Sequence, residues 1–262
     1  MTIVNHKYKF IFIKTQKTAG TSMEISLSKF CDKSDIVSTI KPSDEKLRQA
    51  LKYQGPTNYS FFSEKIPINF KALFILLKNL IKSIPFSKTI FNFKTPPVFL
   101  SFKLFKPVSK IDEHITLKDL RRHLPKKVFE DYYKFCIIRH PYDSMVSHYW
   151  WEVAKNDFER TKPFFEFVEK ESFNHFRMTY DKVFISDKLL FNKCIRYENL
   201  EQDIREVSDK LNFPENLYDI FKSIKTKHLT RKDKSLNILD ERSKKKIYED
   251  WKFFFNIFYY KK

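Results

Sequence analysis

Residues 14–22 read Lys-Thr-Gln-Lys-Thr-Ala-Gly-Thr-Ser. The run combines two ammonium groups, four hydroxyls and a glycine at the start of a helical pattern. A helix N-terminus offers unpaired backbone N–H groups and the positive end of the dipole, so it favours an anion. Lys17 adds a point charge, and Thr18, Thr21 and Ser22 add hydroxyl donors. The chain holds only 2 glycines, and Gly20 is one of them. A glycine kept in so glycine-poor a chain marks a backbone position that a side chain would block. These residues suit a cradle for a nucleotide 5′-phosphate. A helix cap at Thr18 with a solvated Lys17 would use the same residue types. The GxxxxGK[ST] pattern of ATP-binding loops is absent.

A second cluster lies at 135–149, Phe-Cys-Ile-Ile-Arg-His-Pro-Tyr-Asp-Ser-Met-Val-Ser-His-Tyr. Arg139 ends an apolar run, and a guanidinium can grip a phosphate bidentately. Ser144 and Ser147 are three apart on the following helix and share a face, as do Asp143 and Ser147. A surface arginine at a strand end, with an ordinary helix behind it, fits this pattern too.

The elements that must hold these residues follow from periodicity. Residues 8–14 and 134–139 read as buried strands, and 193–197 as a third. Helices are expected from about Thr18 to Phe30, from Pro141 to about Lys155, and from about Leu200 to Leu211. Pro141 suits a first helical turn. A strongly aromatic terminal helix is expected from Ile247 to Tyr259. Strands alternating with helices predict one α/β domain over 1–262, a central parallel sheet with helices on both faces. Residues 40–110 carry many Pro, Lys and Phe and no clean period beyond a helical patch at 70–82. They read as an insertion on the substrate side.

Composition narrows the partners. Lys and Arg outnumber Asp and Glu by 50 to 32, a net charge of +18. A field of that sign attracts nucleotides, nucleic acids, sulfated or carboxylated glycans and lipid head groups, although drift in overall composition would raise it too. Cys31, Cys136 and Cys194 make no disulfide framework, and the last two sit in apolar runs as expected of buried thiols. No cluster has metal-ligand spacing. The N-terminus lacks the pattern of a secretory signal, and the run Ala72–Leu77 is too short to span a bilayer. A cytoplasmic location is expected, with no stable nucleic-acid complex.

The phosphate loop and its preceding strand, FIFIKTQKTAGTS, resemble the 5′-phosphosulfate loop of sulfotransferases that use 3′-phosphoadenosine-5′-phosphosulfate (PAPS). The likeness is strongest to the carbohydrate (2-O-type) branch. Gln16 stands where that branch usually has Pro, and Lys17 to Ser22 match throughout. Arg139-x-Pro141 with Ser147 and Tyr149 resembles the 3′-phosphate segment of the same family, with Ser144 where a second Arg is common. Weaker likenesses lie at 195–204 and in the terminal helix, where Trp251 replaces a usual Asp.

The resemblance implies a P-loop-type nucleotide-binding fold and sulfuryl transfer from PAPS to an acceptor hydroxyl, on a glycan. Lys17 would steady the bridging oxygen, with Lys17, Thr18, Ala19, Gly20, Thr21 and Ser22 holding the 5′-phosphate. Arg139 and Ser147 would hold the 3′-phosphate. In-line transfer needs a base for the acceptor proton, and imidazole titrates near neutrality. By the family's order that base is His114, in Asp-Glu-His-Ile-Thr before a helix that Thr116 can cap. His228 is the competing assignment. The rival readings are a P-loop kinase, which lacks its Walker lysine here, and a basic nucleic-acid-binding module. The acceptor and the role of 40–110 are open at this level.

Overall fold

The computed structural model describes residues 2–57, 111, 115–155, 163–224 and 238–261. The helical patch expected at 70–82, most of the expected insertion, and both His114 and His228 lie outside these residues.

A five-stranded sheet forms the frame. Its strands are β1 (Thr2–Asn5), β2 (Phe10–Ile13), β3 (Ile36–Val37), β4 (Tyr133–Ile138) and, after a short hairpin of β5 (Phe184–Ile185) with β6 (Lys188–Leu189), β7 (Lys193–Arg196). The order across the sheet is β3-β1-β2-β4-β7. β2, β4 and β7 are parallel neighbours, with Ile13 opposite Cys136 and Cys136 opposite Cys194. β1 is antiparallel to both β2 and β3. The expected parallel sheet is therefore mixed. Thr2–Asn5 and Phe10–Ile13 are joined by only four residues, too few for a parallel crossover, so they pair as a hairpin.

β2 and β4 are buried on both faces, β7 at the sheet edge buries only Ile195, and side chains alternate strictly. Phe10, Phe12, Phe135, Ile137 and Ile195 enter one apolar group; Ile11, Ile13, Cys136 and Ile138 face the other side. The first face is covered by α1 (Gly20–Ser28), α7 (Leu200–Lys210) and α8 (Leu217–Ser223). The second carries α5 (Pro141–Lys155), α6 (Phe164–Val183) and the terminal α9 (Glu241–Phe258), with α3 (Leu117–His123) and α4 (Lys126–Asp131) beside them. Helices thus lie on both faces, as expected. α2 (Pro42–Ala50) begins with a proline and puts a fully buried Arg48–Glu45 pair near α1, so the first part of the expected insertion belongs to the body of the domain.

Local chemistry sets the helix starts. Thr116 accepts from the Asp119 N–H at the head of α3, as its position predicted. Asn216 caps α8 and Asp240 caps α9 in the same way. The Asp240 cap moves the start of the terminal helix to Glu241, ahead of the expected Ile247. α1 starts at Gly20 rather than Thr18, because Ala19 has a left-handed backbone, φ 56°.

Candidate functional site

The carboxyl ends of β2 and β4 lie side by side, and the loop 14–19 leaves β2 next to Arg139. The loop is strained and heavily tied. Lys17 and Ala19 have φ of 59° and 56°, a region that costs an L-residue about 1–2 kcal/mol. The Lys17 carbonyl accepts from Arg139 Nη1 at 2.7 Å. Thr15 donates to the carbonyl of Ile137, and its Oγ1 lies 3.0 Å from Thr18 Oγ1. Thr18 Oγ1 lies 3.3 Å from the Thr15 carbonyl oxygen. Thr18 is therefore a brace inside the loop and does not cap α1, and the cap position is taken by an alanine with no side-chain acceptor.

Gly20 is packed by the chain itself. A Cβ there would stand 2.4 Å from Lys14 Cγ and 2.9 Å from Lys14 Cδ. The Lys14 stem crosses Gly20 so that its ammonium can reach Thr21 Oγ1 at 2.9 Å and Glu24 Oε2 at 3.1 Å. Glu24 is buried on α1, and this ion pair compensates its charge. α1 is buried along its whole length, and its polar residues are satisfied locally: Ser26 donates to the Ser22 carbonyl and Ser28 to that of Ile25.

Arg139 is held from three sides. Its Nε donates to Asp143 Oδ2 at 2.5 Å, one turn into α5; its Nη1 holds the loop; and its guanidinium lies 3.9 Å from the Tyr197 ring centroid. Planar stacking and two directed hydrogen bonds are a guanidinium property that lysine does not share. The residue is only 7% exposed, so the alternative of a surface arginine gives way to a buried junction between β4, α5 and the loop. Next to it, the His140 N–H donates to Glu198 and its ring packs among Tyr142, Phe255 and Tyr260.

α5 brings a second row of groups to the loop. Ser147 is half-buried two turns beyond Arg139. Trp151 is flanked by two lysines: Lys17 Nζ lies 5.2 Å and Lys41 Nζ 5.9 Å from its ring centroid. Ser144 and His148 face α6, where His175 is fully buried. Ser144 Oγ is 2.8 Å from His175 Nε2, and His148 Nδ1 is 3.1 Å from His175 Nδ1. Gln16 Oε1, from the loop, is 3.2 Å from the same His175 Nδ1. Burial pushes the His175 pKa well below the ordinary 6.5, and charge on His148, Lys17 and Lys182 adds to the shift, so the ring is neutral.

The structure thus brings Lys17, Thr18, Ala19, Gly20, Thr21 and Ser22 together with Arg139, and puts Ser147 on the helix that follows. His175, Tyr197 and Trp151 touch Gln16, Arg139 and Lys17 of the candidate site, and motif reading missed them. His175 sits in a helix with no apolar period to announce it. Tyr197 lies in the segment 195–204 but carries no charge or nucleophile to single it out. Cys136 and Cys194 are free thiols with Sγ atoms 3.7 Å apart, and burial pushes the Cys136 thiol pKa up. Among the described residues there is no cluster able to hold a metal, and no helix long and apolar enough to cross a membrane.

The chain is 33% identical over 103 residues to an uncharacterized protein of Archaeoglobus fulgidus, a match over 37% of this chain and 82% of that protein. The two belong to one family. No family model matches the chain, and no solved structure does.

Proposed function

We propose that this protein transfers a sulfuryl group from PAPS to an acceptor hydroxyl, on a carbohydrate. The observation that carries the reading is the junction of the loop 14–19 with Arg139. A turn bearing Lys17 leads into a helix whose N-cap, Ala19, offers no side-chain acceptor, and the neighbouring strand supplies a guanidinium to the same turn. The residues suit a nucleotide with phosphates at both ends. Arg139 spends two of its five N–H donors on Asp143 and the Lys17 carbonyl, which leaves donors for a 3′-phosphate. Ser147 follows on α5, as the resemblance requires.

In this reading the donor brings the activated sulfur, and the chain supplies binding and charge. Residues 18–22 hold the 5′-phosphate, and Lys17 neutralises charge as the bridging oxygen becomes part of the leaving phosphate. His114 removes the acceptor proton, with His228 as the alternative base.

Calorimetry with adenosine 3′,5′-bisphosphate against ATP, over a salt series, tests the nucleotide half. We expect tight binding of the bisphosphate, weaker binding of ATP, and weak, steeply salt-dependent binding of single-stranded DNA. Radiolabelled PAPS with a panel of glycan acceptors tests the chemistry. Absence of bisphosphate binding would remove the proposal.

A further inference from the structure

Ser144, His148, His175 and Gln16 form a hydrogen-bonded chain under the phosphate loop, and the roles of its atoms can be assigned in order. The Gln16 side-chain oxygen only accepts, so His175 Nδ1 carries the hydrogen. His175 Nε2 then bears the lone pair and accepts from the Ser144 hydroxyl. His148 Nδ1 faces the same His175 N–H and accepts as well, which puts the His148 hydrogen on Nε2, toward Glu152 Oε1 at 3.9 Å.

We infer that His175 is the positioning residue of the phosphate loop: its Nδ1–H fixes Gln16, and through Gln16 the left-handed turn that presents Lys17. The inference rests on the reading of residues 14–22 as an anion loop. Gln16 and Lys17 are adjacent in the chain, and Lys17 sits in a backbone conformation that persists only where its surroundings hold it. Arg139 grips that turn from β4, and His175 grips it from α6.

The same chain makes the grip sensitive to charge on His148. An imidazolium at His148 carries hydrogen on both nitrogens and opposes the Nδ1–H of His175. The two rings fit again only if the His175 proton moves to Nε2 and is donated to Ser144. Nδ1 then shows a lone pair to Gln16 Oε1, and attraction becomes repulsion. Each packed element contributes to the balance. Glu152 on α5 favours charge on His148, whereas Lys17 of the loop and Lys182 of α6 oppose charge on His175. Uncharged rings among the described residues pack here too: Trp251 of α9 lies 5.4 Å from His175, and Phe167 and Trp151 lie 5.3 Å and 5.9 Å from His148.

Two substitutions of His175 separate this role from packing. Asn offers an uncharged N–H close to the Nδ1 position, and Leu fills more of the volume but donates nothing. His175→Asn should keep affinity for adenosine 3′,5′-bisphosphate within about threefold, and His175→Leu should lose about tenfold or more. A packing role predicts the reverse ranking and would overturn the inference. Gln16→Met, at a half-buried loop position, should match the loss of His175→Leu and keeps the question answerable if that variant does not fold. Wild-type affinity should also weaken on acidification more than that of His148→Asn. The nucleotide's own phosphates titrate alike for both proteins, so the difference belongs to His148. Equal pH profiles would remove the His148 coupling. Wild-type protein that binds no bisphosphate at any pH would sink the anion-loop reading itself, a different result from wild-type binding that the His175 and Gln16 variants leave unchanged.

Discussion

Arg139 Nη1 and the carbonyl oxygen of Lys17 lie 2.7 Å apart, although 122 residues separate them in the chain. This bond joins the end of β4 to the turn after β2. It makes one residue answerable for two properties, the shape of the loop and the charge beside it.

Arg139→Ala should therefore reduce both stability and nucleotide binding. It removes bonds to Asp143 and Lys17 and the stack on Tyr197, and it takes the guanidinium from beside the half-buried Asp143 carboxylate. We expect a loss of roughly 2–4 kcal/mol in denaturant unfolding. Arg139→Lys should recover little, because an ammonium cannot reproduce the fork. If Arg139 also meets a 3′-phosphate, the preference for nucleotides bearing that group should narrow in calorimetry. An unchanged affinity ratio would confine Arg139 to holding the loop.

Gly20→Ala tests the contact with Lys14. The backbone at Gly20 is not in the left-handed region, so the cost is steric. The new methyl group must push the Lys14 stem aside and loosen its bonds to Thr21 and Glu24. Overpacking of this size costs about 1–3 kcal/mol. A melting temperature equal to that of wild type would mean that Lys14 has another low-energy path to Glu24. The double variant Gly20→Ala with Lys14→Ala should lose less than the sum of the single changes, because the clash disappears with the lysine.

These contacts show where sequence reading succeeded and where it ran out. The strands at 10–13 and 133–138 are apolar runs of ordinary length, and Pro141 marks the start of α5 at its first residue. Gly20 was legible as a blocked position, but the blocking atoms are those of Lys14. α6 was not legible. Its buried positions include Ser172, His175, Thr179 and Lys182, so the helical period is carried by polar residues, and phenylalanines appear on several sides. The role of His175 could not be read from any window, since its partners Gln16, Ser144 and His148 are 159, 31 and 27 residues away.

The neutral, buried His175 also predicts how stability depends on pH. Its folded pKa lies well below the ordinary 6.5, the value of an exposed unfolded histidine. Above 6.5 both states leave it uncharged and nothing changes. Below 6.5 the unfolded chain binds a proton that the folded chain refuses, so stability falls as pH falls. Between pH 7.5 and 5.5 this single group should remove up to about 1.4 kcal/mol. Denaturant titrations of wild type and His175→Asn at both pH values isolate the effect of His175 with its coupled neighbour His148, since the remaining groups titrate in both proteins. Parallel losses would place the titration elsewhere.

Lys17→Ala bears most directly on the chemistry. The ammonium lies 5.2 Å from the Trp151 ring centroid, at the head of a turn whose backbone is gripped by Arg139. Because the backbone ties do not involve the Lys17 side chain, truncation should leave the loop in place and the fold intact. A cation that only anchors the donor would raise KM and leave turnover at saturating donor unchanged. A cation that meets charge developing on the leaving phosphate acts in the transition state, and its loss lowers kcat. We expect the second result, a fall of about 10²–10³-fold, or roughly 3–4 kcal/mol, with bisphosphate affinity changing far less. Lys17→Arg should recover part of the rate if charge alone matters, and little if the leaving oxygen needs a compact donor. Near-normal kcat in Lys17→Ala at saturating PAPS would assign the lysine to ground-state binding, and the leaving-group charge would then fall to another cation of the site.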